Sequence, residues 1–340
     1  MRWGGVAALG GLVSRSFSWN AIKAQVRVIY DEEYGKLQAR HIDRGYPHPE
    51  CPARVTNAAK VLREGDLPLE WVSPGLDQSS RARALKALQR VHSEEHIATL
   101  RDMCAKGVSS IDADTYLTSD SFEVCLATTD SWIRAITSAV QDDVPAFALA
   151  RPPGHHATRG SSMGFCIFNF AAAAAAFALE ELGCGRVAIF DFDVHHGNGI
   201  ANIFRMEPRV RYCSIHQGGI FPMTGDFAED LGPKGNIRSF PLFFDLNPIT
   251  WKLYRPIFEE KAIPWLQEFK PDVLLISAGY DSLACDELAS MSLEEENFGE
   301  MAHILQKAFG RRLCFGLEGG YDLDAIARAI EHTLRPLTET

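Results

Sequence analysis

Residues 191–199 read "DFDVHHGNG" and place Asp191, Asp193, His195 and His196 within six positions. They follow the apolar run "VAIF" at 187–190, so carboxylates and imidazoles crowd the end of a segment that reads as a buried strand. Charged groups in such surroundings are costly unless something pairs with them. Asp191, Asp193 and His195 are spaced two apart, which in extended chain puts them on one side. Asp281, in "AGYDS" at 278–282, ends another strand-like run. Two carboxylates and an imidazole suit Zn²⁺ and leave a coordination position for water and substrate. Mn²⁺ and Fe²⁺ take similar donors, and spacing does not choose between Asp191 and Asp193.

A second histidine pair, His155–His156, follows "RPPG". Two prolines stiffen the approach, which suits groups that must be held in place for catalysis. Adjacent imidazoles facing a metal-bound water can divide proton transfer between them, each set by its hydrogen-bond partner. Tyr321 follows Gly319 and Gly320, and a hydroxyl there can donate to a developing oxyanion opposite the metal.

The elements that must carry these groups alternate in type. Strand-like runs lie at 26–30, 145–150, 186–193, 209–216, 272–279 and 312–320. Helical spacing marks 53–65, 80–104, 120–140, 170–183 and 251–269. Alternation of this kind implies a mostly parallel sheet covered on both faces. Each polar cluster follows a strand, and in open α/β sheets ligands bind beyond the carboxyl ends of strands. "RPPGHH", "DFDVHH", "SIH", "YDS" and "EGGYD" therefore describe one site.

The chain has 340 residues, 46% of them hydrophobic, which supports one large core. No linker divides it. No apolar run reaches the length of a membrane span. The net charge of −10 disfavours direct nucleic-acid binding. Eight scattered cysteines form no CxxC pair, which excludes a zinc-finger or redox reading and leaves free thiols of a reducing compartment. Residues 1–26 contain Arg2, Arg15 and Lys23 and no acid, the composition of an organellar transit peptide or a disordered tail. The expected organisation is a leader at 1–26 and a catalytic domain at 27–340, with mitochondrion or plastid as the location and cytoplasm or nucleus as the alternative.

Taken together, "HPECPARV", "RPPGHHA", "GFCIFN", "DFDVHHGNG", "AGYDS" and "LEGGYDL" resemble, in order and spacing, the zinc-dependent histone deacetylase and acetylpolyamine amidohydrolase superfamily. The likeness runs from about Val28 to Leu337. It implies the three-layer α/β/α arginase/deacetylase fold with a central eight-stranded parallel sheet. It further implies Asp193, His195 and Asp281 as zinc ligands, with His156 as general base and acid. His155 would be its electrostatic partner, oriented by Asp191. Tyr321 matches the residue that polarises the acyl carbonyl. Phe165 and Phe221 resemble paired aromatic walls of an acyl-lysine channel, bounded by Gly164, Leu288 and Gly319. Asp191, Asp193, His195 and Ser214 match positions around a monovalent cation, usually K⁺. His196 would support the loop, and Arg54 would lie near an acetate exit.

The implied function is hydrolysis of N6-acetyl-lysine in proteins or peptides. The alternative is deacetylation of small amines such as acetylpolyamines. Asn198 stands where the first class of these deacetylases has Asp, so the chain resembles the second class and its bacterial relatives. Met223 replaces a usual glycine, and no proline follows Asp286. Leu288 occupies the gate where one branch of polyamine enzymes carries glutamate, which favours a lysine side chain. A silent acyl-lysine binding protein would be expected to lack a ligand or Tyr321. An arginase-like two-metal hydrolase would show more metal-facing carboxylates.

Overall fold

The computed structural model describes Met1 and residues 26–32, 47–75, 77–108, 110–227, 232–245 and 247–339. The leader expected at 1–26 lies almost wholly outside the described residues. In chain order the elements are β1 (Val26–Ile29), α1 (Ala53–Glu64), β2 (Leu69–Val72), α2 (Gln78–Val91), α3 (Glu94–Ala105), α4 (Ser121–Thr137), β3 (Ala146–Ala148), α5 (Phe170–Glu181), β4 (Val187–Asp191) and α6 (Asn198–Phe204). They continue as β5 (Val210–Gln217), β6 (Ile237–Leu242), β7 (Ile249–Thr250), α7 (Trp251–Ile257), α8 (Ile263–Glu268), β8 (Val273–Ala278), β9 (Met291–Ser292), α9 (Glu295–Phe309), β10 (Leu313–Leu317) and α10 (Leu323–Leu334).

Eight strands form one parallel sheet in the order β2-β1-β3-β10-β8-β4-β5-β6. The inner strands are apolar on both faces because helices cover both. In β4, Val187 and Ile189 join the core made with α2, α4 and α5, whereas Ala188 and Phe190 join the opposite core, made with α1, α9 and α10. Helix α5 carries a run of six alanines, Ala171–Ala176, all buried. A helix apolar all round belongs inside, and alanine lets it sit close between its neighbours. Among the described residues no helix is long and apolar enough to cross a membrane.

The topology brings β3, β10, β8, β4 and β5 side by side, with their carboxyl ends at one edge. That juxtaposition gathers five segments distant in sequence: 151–156, 191–196, 214–216, 280–282 and 318–322.

Candidate active site

Asp191 is the last residue of β4, and the chain turns there into 192–196. The turn is held by its own carboxylates. Asp191 Oδ1 accepts the Asp193 N–H at 3.2 Å, and Asp193 Oδ1 accepts the His195 N–H at 2.9 Å. Asp281, beyond β8, reaches across to accept the Val194 N–H at 2.9 Å. The result places His195 Nδ1 3.1 Å from both Asp193 Oδ1 and Asp281 Oδ2. One donor atom from each of the three lies within 4.8 Å of the others. Asp193 and Asp281 are buried.

This donor set fits a divalent cation. Burial opposes a charged His195 ring, yet the hydrogen bonds and charges of Asp193 and Asp281 push its pKa up to about 10. A cation among the same three groups would take the place of that proton. Gly319 makes room for the cluster. Its N–H donates to Asp193 Oδ2 at 2.8 Å, and a Cβ there would lie 2.2 Å from Asp281 Oδ2 and 2.6 Å from Asp193 Oδ2.

The histidine pair faces the cluster. His155 Nδ1 donates to Asp191 Oδ2 at 3.1 Å, and its Nε2 lies 3.7 Å from Asp193 Oδ1. Burial works against a charge on His155, but Asp193 and Asp191 overcome it and raise its pKa well above the ordinary value. His156 is driven the other way, by burial first and then by the charges of His155 and His195. Its Nδ1 donates to Asn198 Oδ1 at 2.8 Å, which leaves Nε2 as the proton acceptor. Two imidazoles with rings 4.0 Å apart thus have their pKa values pushed in opposite directions, the pattern that separates acid and base roles.

Tyr321 is carried by the glycine turn after β10. Its N–H donates to Asp286 Oδ2 at 2.7 Å, and the Arg54 guanidinium lies 4.7 Å from its ring centroid. Burial, more than Arg54 offsets, holds the Tyr321 hydroxyl protonated and available to donate. Fully buried Arg54 itself bonds the Gly320 carbonyl at 2.7 Å and also the Glu318 carbonyl. The aromatic walls converge on the same place. Phe165 meets Tyr321 edge to face at 5.5 Å, and Phe221 meets His156 at 5.0 Å. Gly164 lies between them with φ +55°, and a Cβ there would sit 2.7 Å from both His156 and Phe221. Phe165 shares the left-handed conformation at φ +66°, a strained backbone for a bulky residue at the wall of a site. Leu288, 41% exposed, lines an outer cavity of about 410 Å³ with Asp286, Glu287, Tyr321 and Asp322.

The outlying residues stand behind these. Ser214 Oγ pairs with His216 Nδ1 at 2.9 Å, and His196 Nδ1 with Thr224 Oγ1 at 2.8 Å. Several contributors carry no sequence signal of their own. Tyr212 donates to Asp191 Oδ2 at 2.9 Å and accepts the Gly197 N–H at 3.0 Å. Glu50 grips Arg151 through two hydrogen bonds of 2.7 and 2.5 Å. Glu318 accepts from Gly154 and His155. The quoted motifs "HPECPARV" and "LEGGYDL" already held Glu50 and Glu318. Arg151, Gly154 and His155 lie a hundred or more residues from them and meet them only in the fold.

An eight-stranded parallel sheet between two helical layers, with polar groups at its carboxyl edge, defines a protein of the arginase/deacetylase fold. The Histone deacetylase domain profile matches residues 48–337, and the chain belongs to that family. It is a hydrolase acting on amides, a deacetylase of acetylated substrates. "Uncharacterized protein slr0245" from Synechocystis is 40% identical, covering 92% of this chain and 99% of its own. "Histone deacetylase 14, chloroplastic" from Arabidopsis thaliana is 33% identical, covering 85% and 73%. "Polyamine deacetylase HDAC10" from Homo sapiens is 32% identical, covering 85% of this chain and 45% of its own length. The crystal structure of the HDA15 HD domain superposes with a TM-score of 0.84 at 29% identity, covering 93% and 88%.

Proposed function

We propose that this chain hydrolyses the acetyl amide of N6-acetyl-lysine in proteins or peptides, with Zn²⁺ held by Asp193, His195 and Asp281. The observation that carries this reading is the three-residue donor set beside the histidine pair, with His155 bonded to Asp191 and His156 to Asn198. When bound, the cation would polarise an attacking water and the amide carbonyl. His156 Nε2 would take the water proton as the new C–O bond forms. The Tyr321 hydroxyl would donate to the oxyanion while charge builds there. His156 would then return the proton to the amine nitrogen as the C–N bond breaks, releasing acetate and a free amine. His155, hydrogen-bonded to Asp191, would stabilise the negative charge through this sequence. Phe165 and Phe221 would enclose the four-carbon lysine stem, with Gly164 and Gly319 letting it approach.

An acetylated polyamine is the competing substrate, supported by the acidic groups Asp286, Glu287 and Asp322 around the outer cavity and by the relative named as a polyamine deacetylase. Leu288 at the gate favours the lysine reading. Assaying an acetyl-lysine peptide beside acetylspermidine, each with and without a chelator, separates the two. Asp191, Asp193, His195 and Ser214 would surround K⁺, with His196 and Asn198 bracing the loop. The catalytic unit would occupy 27–340, behind a leader at 1–26. Relatives named as chloroplastic in Arabidopsis thaliana and Oryza sativa favour a plastid over a mitochondrion. A fluorescent reporter fused to residues 1–30 tests that location.

A further inference from the structure

Glu318 ends the run that leads from β10 into the glycine turn, and its side chain is completely buried. It turns toward the loop after β3, where Oε2 accepts the Gly154 N–H at 2.6 Å and the His155 N–H at 3.0 Å. Oε1 takes the Ser277 hydroxyl at 3.2 Å. The next peptide unit is also fixed, since the His155 carbonyl accepts the Gly199 and Ile200 N–H groups at 3.0 and 3.2 Å. The backbone that bears the histidine pair is therefore clamped between the Glu318 carboxyl and the start of α6.

The segment that provides this clamp also fixes the opposite wall of the site. The Gly319 N–H holds Asp193, the carbonyls of Glu318 and Gly320 hold Arg54, and Tyr321 follows directly. We propose that Glu318 is a positioning residue that sets the distance between the His155–His156 pair and the Asp193–Tyr321 side of the site. The inference rests on the reaction proposed above. It adds a mechanical link that the ligand and histidine motifs do not contain. Without that carboxyl, two buried N–H donors lose their acceptor, and the loop must move to satisfy them.

Glu318→Gln keeps an oxygen for both N–H groups and an amide that can donate to Ser277 Oγ, whereas Glu318→Ala removes the clamp and Glu318→Asp shortens it by one methylene. A displacement near 1 Å costs on the order of 100-fold in rate. Glu318→Ala is expected to lower kcat by about that factor, with KM and bound metal per chain close to wild type. Glu318→Gln is expected to recover kcat to within about tenfold of wild type. The His155 and His156 ring signals in NMR should move in the Ala and Asp variants and stay in place in Gln. If Glu318→Ala does not fold, Glu318→Asp against Glu318→Gln decides. A folded Ala or Asp variant with wild-type kcat and unmoved ring signals would overturn the inference, as would a Gln variant as slow as Ala. If wild-type protein hydrolyses neither test substrate, the proposed reaction fails while the ring signals still report on the clamp.

Discussion

Replacing Gly319 by alanine adds one carbon at the most crowded point of the donor cluster. That carbon would stand 2.2 Å from Asp281 Oδ2 and 2.6 Å from Asp193 Oδ2, while ordinary van der Waals contact begins at 3.4 Å. Asp281 must retreat by about 1.2 Å, and Asp193 by about 0.8 Å, to relieve the overlap. A metal–carboxylate bond of about 2.0–2.2 Å does not survive such a shift. Loss of supporting contacts alone costs about 10–100-fold in metal affinity, and displacing two ligands should reach at least the upper end. At about 1.4 kcal/mol per tenfold, that is about 3 kcal/mol of binding. The assay is chelator competition followed by metal analysis, with circular dichroism melts to establish folding. Gly160→Ala, where a Cβ meets nothing within 4 Å, is the control. A Gly319→Ala protein that holds metal as tightly as the control, and turns over substrate within about threefold of it, would refute the assignment of Asp193 and Asp281 as ligands.

Tyr321→Phe should leave metal content unchanged while activity falls at least about a hundredfold, the scale of a lost oxyanion donor; near-full turnover would remove the hydroxyl from the reaction. Leu288→Glu should shift relative kcat/KM toward acetylspermidine by about tenfold through charge pairing at the gate, read from parallel assays of both substrates. Burial would raise the Glu50 pKa, but Arg151 and Arg54 outweigh it and lower it to about 2. A carboxyl depressed in this way stabilises the fold fully above its unfolded pKa near 4.5 and loses that contribution as pH falls toward 2. Glu50→Gln should therefore lose roughly 3 kcal/mol at pH 7 and show a flatter loss of stability between pH 4.5 and 2, measured by urea melts across that range.

The inner strands were legible because they are continuous apolar runs ending in polar clusters. Five of them, β3, β4, β5, β8 and β10, lead into the segments that carry the histidine pair, the candidate metal donors, Ser214 and Tyr321, so strand-end logic gathers these groups. The two strands of the eight-stranded sheet without a sequence signal, β2 and β6, are its edges. β2 reads "LEWV" with every residue only partly buried, and β6 reads "IRSFPL" with Pro241 near its end. Half-exposed edge strands tolerate charge and proline, which erases the pattern that betrays a central strand. The stretch 80–104, which reads as one or two helices, is two, divided at Ser93, whose side chain accepts the His96 N–H and starts α3. Residues with chemistry of their own, such as His156 and Asp281, were visible from type and spacing. Glu318, Glu50 and Tyr212 were not, because each acts by accepting or donating a hydrogen bond to a partner that only the sheet order brings near.

The central claim is that one divalent cation among Asp193, His195 and Asp281 is required for amide hydrolysis. Its most direct measurement strips the purified protein with a chelator and restores metal stepwise, following activity and metal content together. The account predicts activity lost on stripping and recovered at one ion per chain, with Asp193→Asn and Asp281→Asn failing to recover. Full activity after exhaustive stripping, or recovery that ignores both substitutions, would contradict it.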